Sequence, residues 1–95
     1  MQPPEMPSDK RLSIILPAKN EAAGLKKLLP ALRAAYPQTE ILVVDDGSTD
    51  ETVAVCQKHG TTVISRPYSI GNGGAIKAGA RAATGEILVL MDADG

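Results

Sequence analysis

The stretch Ile41-Leu42-Val43-Val44-Asp45-Asp46-Gly47-Ser48 decides how the rest of the chain is read. Its first four residues are apolar without alternation, which fits a parallel strand covered on both faces. Two carboxylates and a glycine then stop the run. Ser48 and Glu51 carry the spacing of a capping box, which predicts a helix from there to about His59, with Gly60 as its C-terminal stop. A buried strand that turns sharply into a helix is one half of a β-α-β unit, and the same punctuation recurs on both sides of it.

Upstream, Leu12–Leu16 reads as a buried strand. Asn20–Ala35 follows with Leu25, Leu28, Leu29 and Leu32 at helical spacing. Pro30 lies inside that pattern and is expected to kink or split the helix, and Pro37 to end it. Downstream, Thr61–Ser65 is a third strand. Gly71-Asn72-Gly73-Gly74 turns into a third helix over roughly 74–84, ended by Gly85. Glu86–Met91 is a fourth strand, followed by Asp92-Ala93-Asp94-Gly95. The order β-α-β-α-β-α-β implies an α/β fold with a Rossmann-like parallel sheet. Residues 1–10, with Pro3, Pro4 and Pro7, read as a disordered tail, and 11–95 as one domain.

Composition narrows the classes. The 95 residues carry 43% hydrophobic residues but only two Tyr and no Phe or Trp, so the core must be aliphatic. Ten basic residues against eleven acidic ones give a formal charge of −1, without the basic excess of a nucleic-acid surface. The lone Cys56 forms no internal disulfide and no CxxC metal cluster. It reads as a small buried apolar residue on the second helix. The N-terminal stretch lacks the apolar run of a secretory signal, and no apolar run is long enough to span a bilayer; a cytoplasmic location is expected.

In open parallel sheets, ligands bind beyond the carboxyl ends of the strands. The segments leaving strands one, two and four are Pro17–Glu21, Asp45–Ser48 and Asp92–Gly95. All carry acidic groups, and all are expected to meet at one edge. Asp92 and Asp94, separated by one residue, are costly to bring together without a cation. A hard divalent ion, Mg²⁺ or Mn²⁺, would neutralise them and leave positions open for phosphate oxygens. Read blandly, the pair is only a polar strand end. Asp46 suits a base N–H or ribose hydroxyl, whereas Asp45 fits a ligand role and an acidic helix-start turn equally well, and Ser48 reads as a cap. Lys19 could offset phosphate charge and Glu21 bond a ribose or base; Asn20 and Glu21 are also ordinary helix-start residues. The glycines of 71–74 read as packing and turning residues. They do not form a Walker loop, since no Gly-Lys-Ser/Thr follows. Arg66 and Lys77 read as solvated surface, and His59 has no catalytic role.

Taken in order, Ile14-Ile15-Leu16-Pro17-Ala18-Lys19-Asn20-Glu21, the stretch from Ile41 to Asp50, Gly71-Asn72-Gly73-Gly74-Ala75 and Gly85 through Gly95 resemble the family 2 glycosyltransferases. Within that family they look most similar to the dolichyl-phosphate mannose synthase or polyprenyl-phosphate glycosyltransferase type. The resemblance covers residues 11–95 and implies the N-terminal, nucleotide-binding half of a GT-A fold. It implies that Pro17, Lys19 and Glu21 line the nucleoside site, that Val44 and Asp46 contact base and ribose, and that Asp92, Ala93 and Asp94 meet ribose, diphosphate and metal. It also implies a GDP- or UDP-hexose donor, a lipid-phosphate acceptor and inversion at the anomeric carbon. The family often has an aromatic residue where this chain has Lys19, so base stacking there is lost. The 95 residues alone are expected to bind nucleotide weakly, to catalyse nothing, and to self-associate through the apolar edge of the fourth strand. Three other readings are a non-catalytic nucleotide-binding module, a nucleotidyltransferase and an NAD-binding domain. The nucleotidyltransferase would need a glycine- and basic-rich loop after strand one, where the chain has Pro-Ala-Lys-Asn-Glu. The NAD-binding domain lacks its Gly-x-Gly-x-x-Gly turn.

Overall fold

A computed structural model describes residues 12–93. The tail expected over 1–10 and the second aspartate of the terminal pair, Asp94, lie outside the described residues. The elements are β1 (Leu12–Ala18), α1 (Ala22–Ala35), β2 (Glu40–Asp46), α2 (Thr52–Lys58), β3 (Thr62–Arg66), α3 (Asn72–Ala82) and β4 (Ile87–Leu90). The four strands form one parallel sheet in the order β3-β2-β1-β4. Because all run the same way, the segments leaving β1, β2 and β4 emerge at the same sheet edge.

Both faces of β1 and β2 are covered, as their unalternating apolar runs require. On one face Ile14, Leu16, Ile41 and Val43 pack against Leu25, Leu29 and Leu32 of α1 and Val55 and Cys56 of α2. On the other, Ile15, Leu42 and Val44 pack beneath Ala75 of α3. Gly79 lets α3 lie close on the strands. A Cβ there would stand 2.5 Å from Cγ2 of Ile15 and 3.2 Å from Cγ2 of Val44. α3 does not extend over β4, whose Leu88 and Leu90 stay exposed.

Several local expectations are corrected. α1 is one unbroken helix through Pro30. Pro30 sits on the exposed side, where the loss of one backbone donor leaves the packed leucine face intact. α1 starts at Ala22, so Asn20 and Glu21 precede it. β1 runs two residues beyond Leu16, because Pro17 and Ala18 still pair with Val44 and Asp45. α3 starts at Asn72, so two of the loop's glycines, Gly73 and Gly74, belong to its first turn.

No capping box opens α2, which begins at Thr52 with no side-chain cap from its N-cap residue, Glu51. Asp50 serves instead, its Oδ1 accepting the Thr52 N–H at 2.9 Å. Ser48 is engaged elsewhere. The C-terminal stop at Gly60 is as expected, with φ +66°. The Thr61 N–H reaches back to Cys56 O at 3.1 Å and the Gly60 N–H to Gln57 O at 3.2 Å, the paired bonds of a Schellman turn. Arg66 is half-buried rather than solvated, and its Nε is enclosed without a partner among the described residues.

Candidate nucleotide cleft

The residues leaving β1 and β4 meet the start of α3 around a cleft of about 210 Å³, lined by Pro17, Lys19, Glu21, Asn72, Asp92 and Ala93. Five of the eight residues singled out in the sequence therefore share one concavity. The parallel register explains it: Ile15 pairs with Leu90, and the Met91 N–H donates to Ile15 O at 3.0 Å, carrying the β4 exit alongside that of β1. Ala93 is buried while Asp92 is exposed, so the segment is anchored by one residue and offers the carboxylate of the other.

Val44 and Asp46 are placed differently. Val44 is wholly buried beneath α3, and its side chain belongs to the core. Asp46 is buried, with a carboxylate bound to the loop ahead of α3. Its Oδ1 accepts the Ile70 N–H at 2.9 Å, and its Oδ2 accepts the Gly71 N–H at 2.9 Å and Ser69 Oγ–H at 2.8 Å. Burial raises its pKa, but these three bonds and the nearby Lys19 ammonium outweigh it and hold the carboxyl below the usual range. Asp46 thus faces Lys19 electrostatically and fixes the loop that delivers Asn72 to the cleft. Gly47 makes the same loop possible from the other side. Its φ is +79°, and a Cβ there would stand 2.8 Å from the Ser69 nitrogen.

Asp45 is a structural turn residue. Its Oδ1 accepts the Ser48 N–H at 3.1 Å and its Oδ2 accepts Ser65 Oγ–H at 2.9 Å. At the opposite end of the sheet, Glu40 Oε1 accepts Ser13 Oγ–H and the Thr84 N–H, both at 2.8 Å. Ser13 Oγ in turn accepts the Gly85 N–H at 2.9 Å, tying the α3–β4 connection to β1 and β2.

The positions of Asn72 and Asn20 have no local signal in the sequence. Asn72 sits inside a stretch that reads as glycine-rich packing, and only the position of α3 brings it to the cleft. Asn20 reads as a helix-start residue, yet it is the single non-glycine residue with positive φ among those described, at +54°.

A divalent cation suits the donor set. Asp92 offers hard carboxylate oxygens at the rim of a cleft that also holds Glu21, and Asp94 follows one residue beyond Ala93 in sequence. Among the described residues no group of three His, Cys, Asp or Glu side chains forms a self-sufficient cage.

The comparisons agree with this architecture. The family model for Glycosyl transferase family 2 matches residues 13–95. An uncharacterised glycosyltransferase of Mycobacterium tuberculosis is 42% identical over 84 residues, covering 88% of this chain and 37% of that protein. The dolichyl-phosphate beta-glucosyltransferase of Mus musculus is 35% identical over 102 residues, covering 90% of this chain and 32% of that protein. Among solved structures, a mannosyltransferase of Pyrobaculum calidifontis in complex with GDP-Man and Mn²⁺ superposes with a TM-score of 0.82 at 29% identity, covering 98% of this chain and 31% of that one. Glucosyl-3-phosphoglycerate synthase of Mycobacterium tuberculosis, in complex with Mn²⁺, UDP and glucosyl-3-phosphoglycerate, superposes with a TM-score of 0.77 at 30% identity, covering 86% and 33%. The chain spans about a third of the length of these relatives. With the fold, the cleft and the family match in agreement, the chain belongs to glycosyltransferase family 2.

Proposed function

We infer that this segment is the donor-binding part of an enzyme that transfers a hexose from a GDP- or UDP-sugar, with inversion, to a polyprenyl phosphate. The observation that carries the reading is the meeting of Pro17, Lys19, Glu21, Asn72, Asp92 and Ala93 in one cleft at the carboxyl edge of the sheet. Lys19 brings positive charge to a diphosphate, and Glu21 offers an acceptor to ribose or base hydrogens. Val44 supports α3 from the core, and Asp46 fixes the loop ahead of it. Asp92 and Asp94 would hold Mg²⁺ or Mn²⁺. When bound, the cation stabilises negative charge on the departing nucleoside diphosphate.

A polyprenyl phosphate is already ionised and needs no protein base to become a nucleophile. That acceptor is supported by the dolichyl-phosphate relative. Another relative is a 4,4'-diaponeurosporenoate glycosyltransferase of Staphylococcus haemolyticus, so relatives of this segment act on chemically different acceptors. Among the described residues no helix is long and apolar enough to cross a membrane. Action at a cytoplasmic membrane face belongs to the same proposal.

The 95 residues alone bind donor nucleotide without turnover. They self-associate through β4, whose Ile87, Leu88 and Leu90 are exposed and which, among the described residues, pairs only with β1. Sedimentation should give a concentration-dependent mass, and a monomer at all concentrations would contradict it. For the activity, protein carrying this segment at its relatives' length should move radiolabelled sugar from GDP-mannose or UDP-glucose into polyprenyl phosphate. Transfer only to hydroxyl acceptors would overturn the lipid-phosphate reading and leave donor binding intact.

A further inference from the structure

Lys19 and Glu21 both line the cleft although one residue separates them, and that residue, Asn20, makes the contacts that hold the turn. Its side-chain Oδ1 accepts the backbone N–H of Thr49 at 2.8 Å and of Asp50 at 3.2 Å. Its own N–H donates to Ser48 Oγ at 2.8 Å. Three further bonds run between the same two segments: the Thr49 Oγ1–H to Asn20 Oδ1 at 3.4 Å, the Glu21 N–H to Thr52 Oγ1 at 3.0 Å and the Ala22 N–H to Asp50 Oδ2 at 3.2 Å. From Asn20 to Ala22 the β1–α1 turn is thus stitched to the β2–α2 loop, which buried Asp45 fixes to the sheet.

The backbone conformation explains why asparagine stands there. At φ +54° the residue is left-handed, where glycine is at ease and asparagine is among the few side chains tolerated. Glycine would permit the turn but could not receive the Thr49 and Asp50 N–H groups. Asparagine does both.

We propose that Asn20 is the positioning residue of the nucleotide cleft: its left-handed turn and its side-chain acceptor lock the β1–α1 turn onto the β2–α2 loop, so that Lys19 and Glu21 face the same donor nucleotide. The inference rests on the cleft being the donor site. Asn20 does not line the cleft, and its effect on the nucleotide is transmitted through its neighbours.

Three variants of the 95-residue chain test it by calorimetric titration with UDP and GDP in Mn²⁺. Asn20→Gly keeps the left-handed turn and deletes the acceptor. Ser48→Ala removes only the oxygen that receives the Asn20 N–H, and serves if Asn20→Gly does not fold. Val63→Ala, on β3 away from the cleft, controls for general loss of stability. Asn20→Gly should weaken nucleotide binding by about tenfold or more and Ser48→Ala by about threefold, with Val63→Ala near wild type at a comparable fall in Tm. Equal affinity for wild type, Asn20→Gly and Ser48→Ala overturns the positioning role alone. So does weakening of Val63→Ala in proportion to its loss of Tm. A wild-type chain that binds neither nucleotide overturns the donor-site reading and the positioning role with it.

Discussion

Asp46 and Gly71 lie 25 residues apart in sequence, yet the Gly71 N–H donates to the Asp46 carboxylate at 2.9 Å. Gly71 is the N-cap residue of α3 and has φ +90°, so this one bond sets where α3 begins. The Ile70 N–H and Ser69 hydroxyl add two more bonds to the same carboxylate. An acidic residue that the sequence presents as a ligand is thereby the anchor of a loop, and the loop sets the position of Asn72 at the cleft. Asp46→Ala should destabilise the chain by about 2–4 kcal/mol, because two backbone donors lose a charged acceptor. Urea unfolding measures the loss, and amide exchange should quicken at Ile70 and Gly71.

Acid should unfold the chain through its bonded carboxylates. Glu40, Asp46 and Asp50 all have folded pKa values below their ordinary ones. For Glu40, burial raises the value, but bonds from Thr84 and Ser13 outweigh it. For Asp50, the Thr52 hydroxyl bond lowers it most. Depressed folded values mean that the unfolded chain binds protons first. Stability from these groups is full above the ordinary carboxylate range and falls as pH drops through the folded values. Tm measured from pH 7 down to pH 3 should fall, and Asp46→Asn should flatten the slope.

Two glycines of α3 should respond oppositely to alanine. At Gly79 a Cβ meets Ile15 and Val44 in the packed layer. Overpacking of about 1–3 kcal/mol should exceed the helix-propensity gain of about 1 kcal/mol. At Gly73 nothing lies within 4 Å, so Gly73→Ala should stabilise by about 0.5–1 kcal/mol. Thermal unfolding of both variants checks the sign.

The Cys56 thiol should be inert in the native chain. Burial, and then the Asp45 charge, push its pKa from 9.0 to about 11. Modification by a disulfide reagent at pH 8 should proceed only at the rate of unfolding, and at full speed in denaturant. Because the folded value is raised, the contribution of the buried thiol to stability is complete below about pH 9 and is lost as pH climbs towards 11.

Much of this was legible in the sequence. The runs Leu12–Leu16 and Ile41–Val44 are continuous and apolar, and Gly60 punctuates a helix end, so order and class followed from pattern alone. Pro17, Lys19, Glu21, Asp92 and Ala93 could be placed together because a parallel sheet sends every strand exit to one edge. What could not be read are contacts made by tertiary geometry. Nothing local distinguishes Asp46 as a loop anchor from Asp46 as a ligand, since its donors come from beyond β3. Ser48 has the spacing of a cap, but the Asn20 N–H reaches its hydroxyl first, and Asp50 takes over the helix start. Asn20 itself has ordinary helix-start chemistry; only its left-handed φ marks it.

The most direct measurement is a calorimetric titration of the chain with UDP and with GDP, with and without Mn²⁺, repeated on Asp92→Asn. Saturable binding of at least one nucleotide is expected with Mn²⁺, weakened about tenfold or more (about 1.4 kcal/mol) by chelation or by Asp92→Asn. No saturable signal for either nucleotide up to millimolar concentration, or binding indifferent to both Mn²⁺ and Asp92, would contradict a metal-assisted donor cleft.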